Sequence, residues 1–221
     1  MEKAKKISLI KQMLVMQDNF NKVVNEDWAK AGFAWNRAIW LESAELVESL
    51  PWKWWKHTEP DVANARVETV DIWHFVMSGQ IVIYGMDNID MLADLIYTKV
   101  FADLLDEPVF DAEKLIHHTE KLAMYSADDK PSLFQVSQVI KYAGFNLENM
   151  FKEYVIKNTL NGFRQENGYK DGSYVKQWTW FGATAEDNLV VGSLAEHILL
   201  DEDFGSNLKE AMENEYRKTV A

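Results

Sequence analysis

Residues 35–56 read WNRAIWLESAELVESLPWKWWK and residues 64–75 read NARVETVDIWHF. Trp35, Ile39, Leu46 and Leu50 recur at helical spacing, and Glu42 falls inside that apolar stripe. Val67, Val70, His74, Met77 and Ile81 outline a second stripe, with Asp71 inside it. These periods predict helices over about 34–50 and from 61 to the mid-80s, parted at Pro51 and restarted after Pro60 with Asp61 as N-cap. Each helix also carries an acid pair at i, i+3, Glu42 with Glu45 and Glu68 with Asp71, so that each pair shares a face. An acid in a core stripe is costly unless it is paired or ligated. Four converging carboxylates repel one another, and a hard divalent cation relieves that repulsion. All-oxygen ligation favours Mg²⁺, with Mn²⁺ as a substitute, over zinc. Two solvated helix faces would show the same spacing, and on these residues alone both readings stand.

Outward from this pair the chain reads as nearly all helix. Helices are expected near 4–25, 88–104, 109–126, 131–161 with a disturbance at Gly144, 186–200 and 204–219. The segment 162–185 is expected to be loop. On the first helix Leu9, Met13, Met16 and Phe20 share a face. Four prolines, ten glycines and no sustained alternation argue against a sheet. The expected fold is an all-α helical bundle in one domain, residues 1–221, with core helices in about 4–85 and 131–221 and an accessory helical lobe at about 86–130.

A net charge of −12 argues against a duplex nucleic-acid partner. No run reaches the ~18 apolar residues of a membrane span, and the opening MEKAKKISLIKQ is too short in its apolar part for a signal peptide. Zero cysteines exclude disulfides, thiolate metal sites and cysteine nucleophiles, and suit a cytoplasmic setting.

Complementary charge lies in KNTLNGFRQENGYKDGSYVKQW, residues 157–178, where Lys157, Arg164, Lys170 and Lys176 outnumber Glu166 and Asp171. Lys157, Asn161 and Arg164 sit at i, i+4, i+7 on one helical face. Gly168 and Gly172 permit tight turns, and Tyr169 and Tyr174 add hydroxyls. Cations, amides and hydroxyls from one short segment suit a di- or triphosphate; a solvated basic loop has the same composition. Gln17 and Asn21, at i, i+4, could read a base edge or simply face solvent. Trp52, Trp54 and Trp55 could stack on a base, although tryptophans closing a helix–loop corner are more usually core. Neither GxxxxGK[ST] nor GxGxxG is present.

Taken together, residues 35–56, 64–75 and 157–178, with Glu186-Asp187-Asn188 following, resemble the dimeric all-α dUTPases of the all-α nucleoside triphosphate pyrophosphatase superfamily. The likeness covers roughly 9–81 and 148–190, and the middle is placed by position. It implies hydrolysis of dUTP to dUMP and pyrophosphate, use of dUDP, a homodimer, and helix movement around the substrate. It also implies Mg²⁺ held by Glu42, Glu45, Glu68 and Asp71, with Glu45 helping to deprotonate the attacking water. The family's phosphate contacts map onto Lys157, Asn161, Arg164, Tyr169 and Lys176, and its base-reading residues onto Gln17, Asn21 and Trp52. The stretch TWFGATA, residues 179–185, is longer than the turn expected there and puts a substrate role for Asn188 in question. Some relatives accept dCTP, so a dCTP-accepting or house-cleaning pyrophosphatase is the sibling reading. From other classes come a di-iron carboxylate bundle, suggested by His74 one turn beyond Asp71, and a non-catalytic helical interaction protein.

Overall fold

The computed structural model describes residues 2–201 and 203–220. Helices dominate it, in the order α1 (Lys3–Val24), α2 (Trp35–Glu48), α3 (Val62–Tyr84), α4 (Ile89–Ile96), α5 (Ala112–Ala127), α6 (Leu133–Tyr142) and α7 (Leu147–Glu166). Strands β1 (Gln177–Trp180) and β2 (Ala183–Glu186) follow, then α8 (Asp187–Ala195) and α9 (Phe204–Val220). The expected all-α class holds. The chain divides into two compact units, one up to Glu153 and one from Tyr154 onward.

In the first unit α2 packs on α3 and on α5, α5 on α6, and α1 on α3 and α4. The helix starts follow local chemistry. Asp61, as anticipated, accepts from the Asn64 N–H at 3.0 Å and caps α3; Asp111 caps α5 in the same way. Each such cap satisfies an amide that the helix leaves orphaned, worth about 1 kcal/mol. The disturbance at Gly144 is a full break between α6 and α7. Its φ is +78°, and a Cβ there would lie 3.5 Å from the Phe110 backbone nitrogen, beside the Phe110–Ala143 bridge. The helix expected over 88–104 is shorter: α4 gives way to a π turn at Tyr97–Phe101, which buries Phe101 edge-on against Trp73 at 5.3 Å.

Two faces differ from expectation. On α1 the buried positions are Ile10, Met13, Leu14, Gln17, Asp18 and Asn21, so the inward face is rotated away from Leu9, Met16 and Phe20. Three polar residues share that face because each finds a partner, Asp18 accepting from the Trp28 indole at 3.0 Å. On α3, Val67 is exposed, while Val70, His74, Met77 and Ile81 are buried as read.

The second unit differs from the all-loop expectation for 162–185. Residues Gln177–Glu186 form an antiparallel hairpin, the one sheet among the described residues. Phe181 (φ +48°) and Gly182 (φ +80°) make its two-residue turn, the doubly left-handed kind that matches strand twist. Four-residue strands are too short to announce themselves by alternation. What anchors them is Trp178, fully buried against Phe163 (5.7 Å) and Tyr216 (5.3 Å). Tyr174 stacks on Tyr216, whose hydroxyl accepts from the Val175 N–H at 3.1 Å.

Candidate active site

In the first unit Glu42 of α2 meets Glu68 and Asp71 of α3, with one carboxylate oxygen of each lying within 4.8 Å of the others. The i, i+3 spacing on α3 and the packing of α2 against it bring them together. At that separation two full charges repel by roughly 3 kcal/mol at an effective dielectric of about 20. Glu68 is buried and Glu42 and Asp71 are half-buried, so solvent relieves little of this. Burial, then the charges of Asp71, Glu45 and Glu68 and a hydrogen bond shared with Glu68, push the Glu42 carboxyl up to about 8. Asn64 braces the group: its amide nitrogen donates to Glu68 Oε1 at 3.1 Å and to Ser49 Oγ at 2.7 Å.

The fourth predicted acid stands apart from this trio. Glu45 is exposed, one turn after Glu42, and its charge still reaches Glu42. With Glu68 it lines an open cavity of about 400 Å³ bounded by Ser49, Lys53, Thr58 and Asn64. The buried Thr58 hydroxyl has no hydrogen-bond partner there. The donor set fits a hard divalent cation. Oxygens around Mg²⁺ lie roughly 3–4 Å apart, so only a small inward movement of the trio is needed. His74 is not in the carboxylate group; its Nδ1 donates to the Val70 carbonyl at 2.8 Å.

Further along the same unit Gln17 and Asn21 are buried rather than solvent-facing. Gln17 donates to Asn21 Oδ1 (3.0 Å) and to Ser78 Oγ (3.1 Å), and Asn21 donates to Ser78 Oγ at 2.9 Å. Ser78 in turn donates to the His74 carbonyl. Asn64, Glu68, Asp71 and Ser78 therefore form a polar stripe along a helix that is otherwise mostly buried and apolar. It spans about 20 Å at 1.5 Å per residue. The tryptophans after α2 are not core: Trp52 is 41% exposed and Trp54 89%. Trp52 donates to Glu48 at 3.3 Å and sits edge-on to Trp55. Lys53, paired with Glu48, holds its Nζ 5.6 Å from the Trp52 ring centre and helps to fix the corner.

In the second unit Lys157, Asn161 and Arg164 are half-buried on α7. Arg164 forks onto Asp187, Nε to Oδ2 and Nη2 to Oδ1, both at 2.8 Å. Its Nη1 donates to Asn161 Oδ1 at 3.3 Å, and Nη2 also reaches Asn188 Oδ1 at 2.6 Å. Burial opposes the Arg164 charge, but Asp187 overrides it and holds the guanidinium above its ordinary pKa. Tyr174 donates to Asp187 Oδ2 at 2.8 Å; burial and then this carboxylate raise its phenol above the usual range. Gly168 (φ +92°) and Gly172 (φ +79°) make the tight turns read from the sequence, and at Gly168 a Cβ would collide with Ser173 Oγ at 1.9 Å. Tyr169 is exposed, with Lys176 Nζ 5.4 Å from its ring centre.

Sequence reasoning missed Asp187, Asn64 and Ser78. The Glu186-Asp187-Asn188 triplet was visible, but nothing in a sequence marks which of its members is buried. The hairpin made from the longer 179–185 stretch is what sets Asn188 beside Arg164.

Residues 9–169, well over half of the chain, match the dUTPase family. The chain belongs to the all-α dUTPase family. Its activity is that of a dUTP diphosphatase, hydrolysis of dUTP to dUMP. No curated protein matches the chain. The matched stretch of this dUTPase includes Gln17, Asn21, the acids of α2 and α3, and Lys157, Asn161, Arg164 and Tyr169; Lys176 and Asp187 lie beyond it. Among the described residues no helix is long and apolar enough to cross a membrane.

Proposed function

We propose that this dUTPase works with Mg²⁺, or Mn²⁺ in its place, held by Glu42, Glu68 and Asp71 with Glu45 joining them. The observation that carries the proposal is the trio itself, three carboxylates pressed together until one of them keeps its proton to about pH 8. When bound, the cation supplies positive charge for the polyphosphate and acidifies the attacking water. Glu45 is the proton acceptor in this reading: it is exposed on the cavity that Glu68 also lines, so a water can reach it without desolvating a buried base. The α–β bridge of dUTP breaks, leaving dUMP and pyrophosphate; dUDP gives dUMP and phosphate by the same cut. Lys157, Asn161, Arg164, Tyr169 and Lys176 of the second unit neutralise and orient the phosphates. Gln17 and Asn21 read the uracil edge from the Ser78 end of the α3 stripe, and the partly exposed Trp52 stacks on the base. In this reading residues 1–221 are a single dUTPase-like domain, and the protein acts as a cytoplasmic homodimer.

A second reading keeps the chemistry and widens the base. Gln17 and Asn21 each carry a donor and an acceptor on one rotatable amide, so turning one amide exchanges uracil for cytosine preference. A panel of dUTP, dUDP, dCTP and dTTP with Mg²⁺, Mn²⁺ or chelator, scored for pyrophosphate and phosphate release, separates the readings. The proposal expects release from dUTP and dUDP with either metal and none with chelator. Chelator-resistant turnover removes the metal. Glu45→Gln is expected to abolish turnover with the fold intact, and retained activity excludes it as the base.

A further inference from the structure

The Asp187 carboxylate is 1% exposed, and both of its oxygens are fully engaged. Oδ1 accepts from Arg164 Nη2 and from the Asn188 N–H, each at 2.8 Å. Oδ2 accepts from Arg164 Nε and from the Tyr174 hydroxyl, each at 2.8 Å. Four donors fill the roughly four acceptor positions that a carboxylate owns. Asp187 also opens α8, where an anion is favoured by the helix N-terminus, and its N–H is fixed to the Lys176 carbonyl at 2.9 Å. A group held so completely has no capacity left to bind a ligand. It can only hold something else still.

What it holds is one edge of Arg164. Nε spends its hydrogen on Asp187, and Nη2 spends its two on Asp187 and Asn188. Nη1 alone keeps donor capacity, with a single long contact to Asn161. We propose that Asp187, locked by Tyr174, is the positioning residue that fixes Arg164 so that its Nη1 edge, beside the Asn161 amide, meets the substrate's phosphate. The inference rests on the reading of Arg164 as a phosphate ligand and adds how that ligand is aimed. An arginine whose inner fork is already paired arrives at the phosphate with its rotamers frozen. The hairpin gains a purpose from this, because β2 delivers Asp187 directly to the start of α8.

The test is a double-variant cycle on dUTP turnover with Mg²⁺. Asp187→Asn keeps the shape but opposes an amide NH₂ to the guanidinium. It is expected to raise KM for dUTP about tenfold or more while kcat changes less than about threefold. In the Arg164→Gln background the same Asp187→Asn change is expected to move KM less than about twofold, because the residue acts only through Arg164. Equal effects in both backgrounds overturn the proposal and leave Asp187 a structural residue. An Arg164→Gln enzyme with wild-type KM has a different meaning: it removes Arg164 from the phosphate, and the proposal falls with that reading. Should Asp187→Asn fail to fold, Tyr174→Phe carries the test, deleting one hydrogen bond to Asp187 and preserving the ring. A KM raised about threefold with the melting temperature nearly unchanged supports the positioning role; an unaltered KM overturns it.

Discussion

The charged centres of the two units solve opposite problems. In the first, Glu42, Glu68 and Asp71 gather like charges in a partly buried place, and Glu42 answers by holding its proton up to about 8. In the second, Arg164 and Asp187 gather opposite charges, and every strong donor of the fork has its acceptor. The first arrangement is unfavourable as it stands, and a bound cation would relieve it. The second is complete before any ligand does. A centre that stores repulsion invites a ligand, whereas one that has spent its hydrogen bonds presents a finished surface to the ligand.

The sharpest way to break this contrast is to neutralise one acid in each unit. Glu68→Gln is expected to cost turnover roughly a thousandfold, about 4 kcal/mol of lost charge stabilisation. It should nevertheless raise the metal-free melting temperature, because one source of repulsion is gone. Arg164→Ala should do the reverse to stability, leaving Asp187 buried and unpaired at a cost of about 3–5 kcal/mol. Denaturant titration of both variants reads the two signs. Equal signs would mean that the carboxylate trio is not strained.

The pH dependence sharpens the same point. The folded Glu42 pKa, about 8, lies above its ordinary 4.5. Between those values the folded state binds more protons than the unfolded one, so metal-free stability falls as pH rises from about 4.5 towards about 8. Glu42 is half-buried, so solvent screening reduces the size of the effect, not its direction. Melting temperatures at fixed ionic strength check it, and Glu42→Gln should flatten the slope. The smallest effect is expected at Trp54→Ala, a side chain 89% exposed. Its unfolding free energy should stay within about 0.5 kcal/mol of wild type.

The legible part of this protein is its first unit. Helix stripes interrupted by acids at i, i+3 placed Glu42, Glu68 and Asp71 correctly on two adjacent helices, and Asp61 and Gly144 marked true boundaries because their signals are local. The trio's exclusion of Glu45 was not legible, because spacing gives a face and not the depth along it. The rotation of α1 escaped for a related reason. Gln17, Asp18 and Asn21 look like solvent residues until Ser78 and Trp28, distant in sequence, supply their partners. The second unit was read less well: its hairpin hangs on one buried tryptophan, and the side-chain partners that define Asp187, Arg164 and Tyr174, lie 23 and 13 residues away in sequence.

The most direct measurement is calorimetric titration of Mg²⁺ into the nucleotide-free protein at pH 7 in two buffers of different ionisation enthalpy. The trio predicts saturable binding with release of a fraction of a proton approaching one, lost in Glu68→Gln. Binding that releases no proton, or that survives Glu68→Gln unchanged, would contradict the claim that these three carboxylates are held together for a cation.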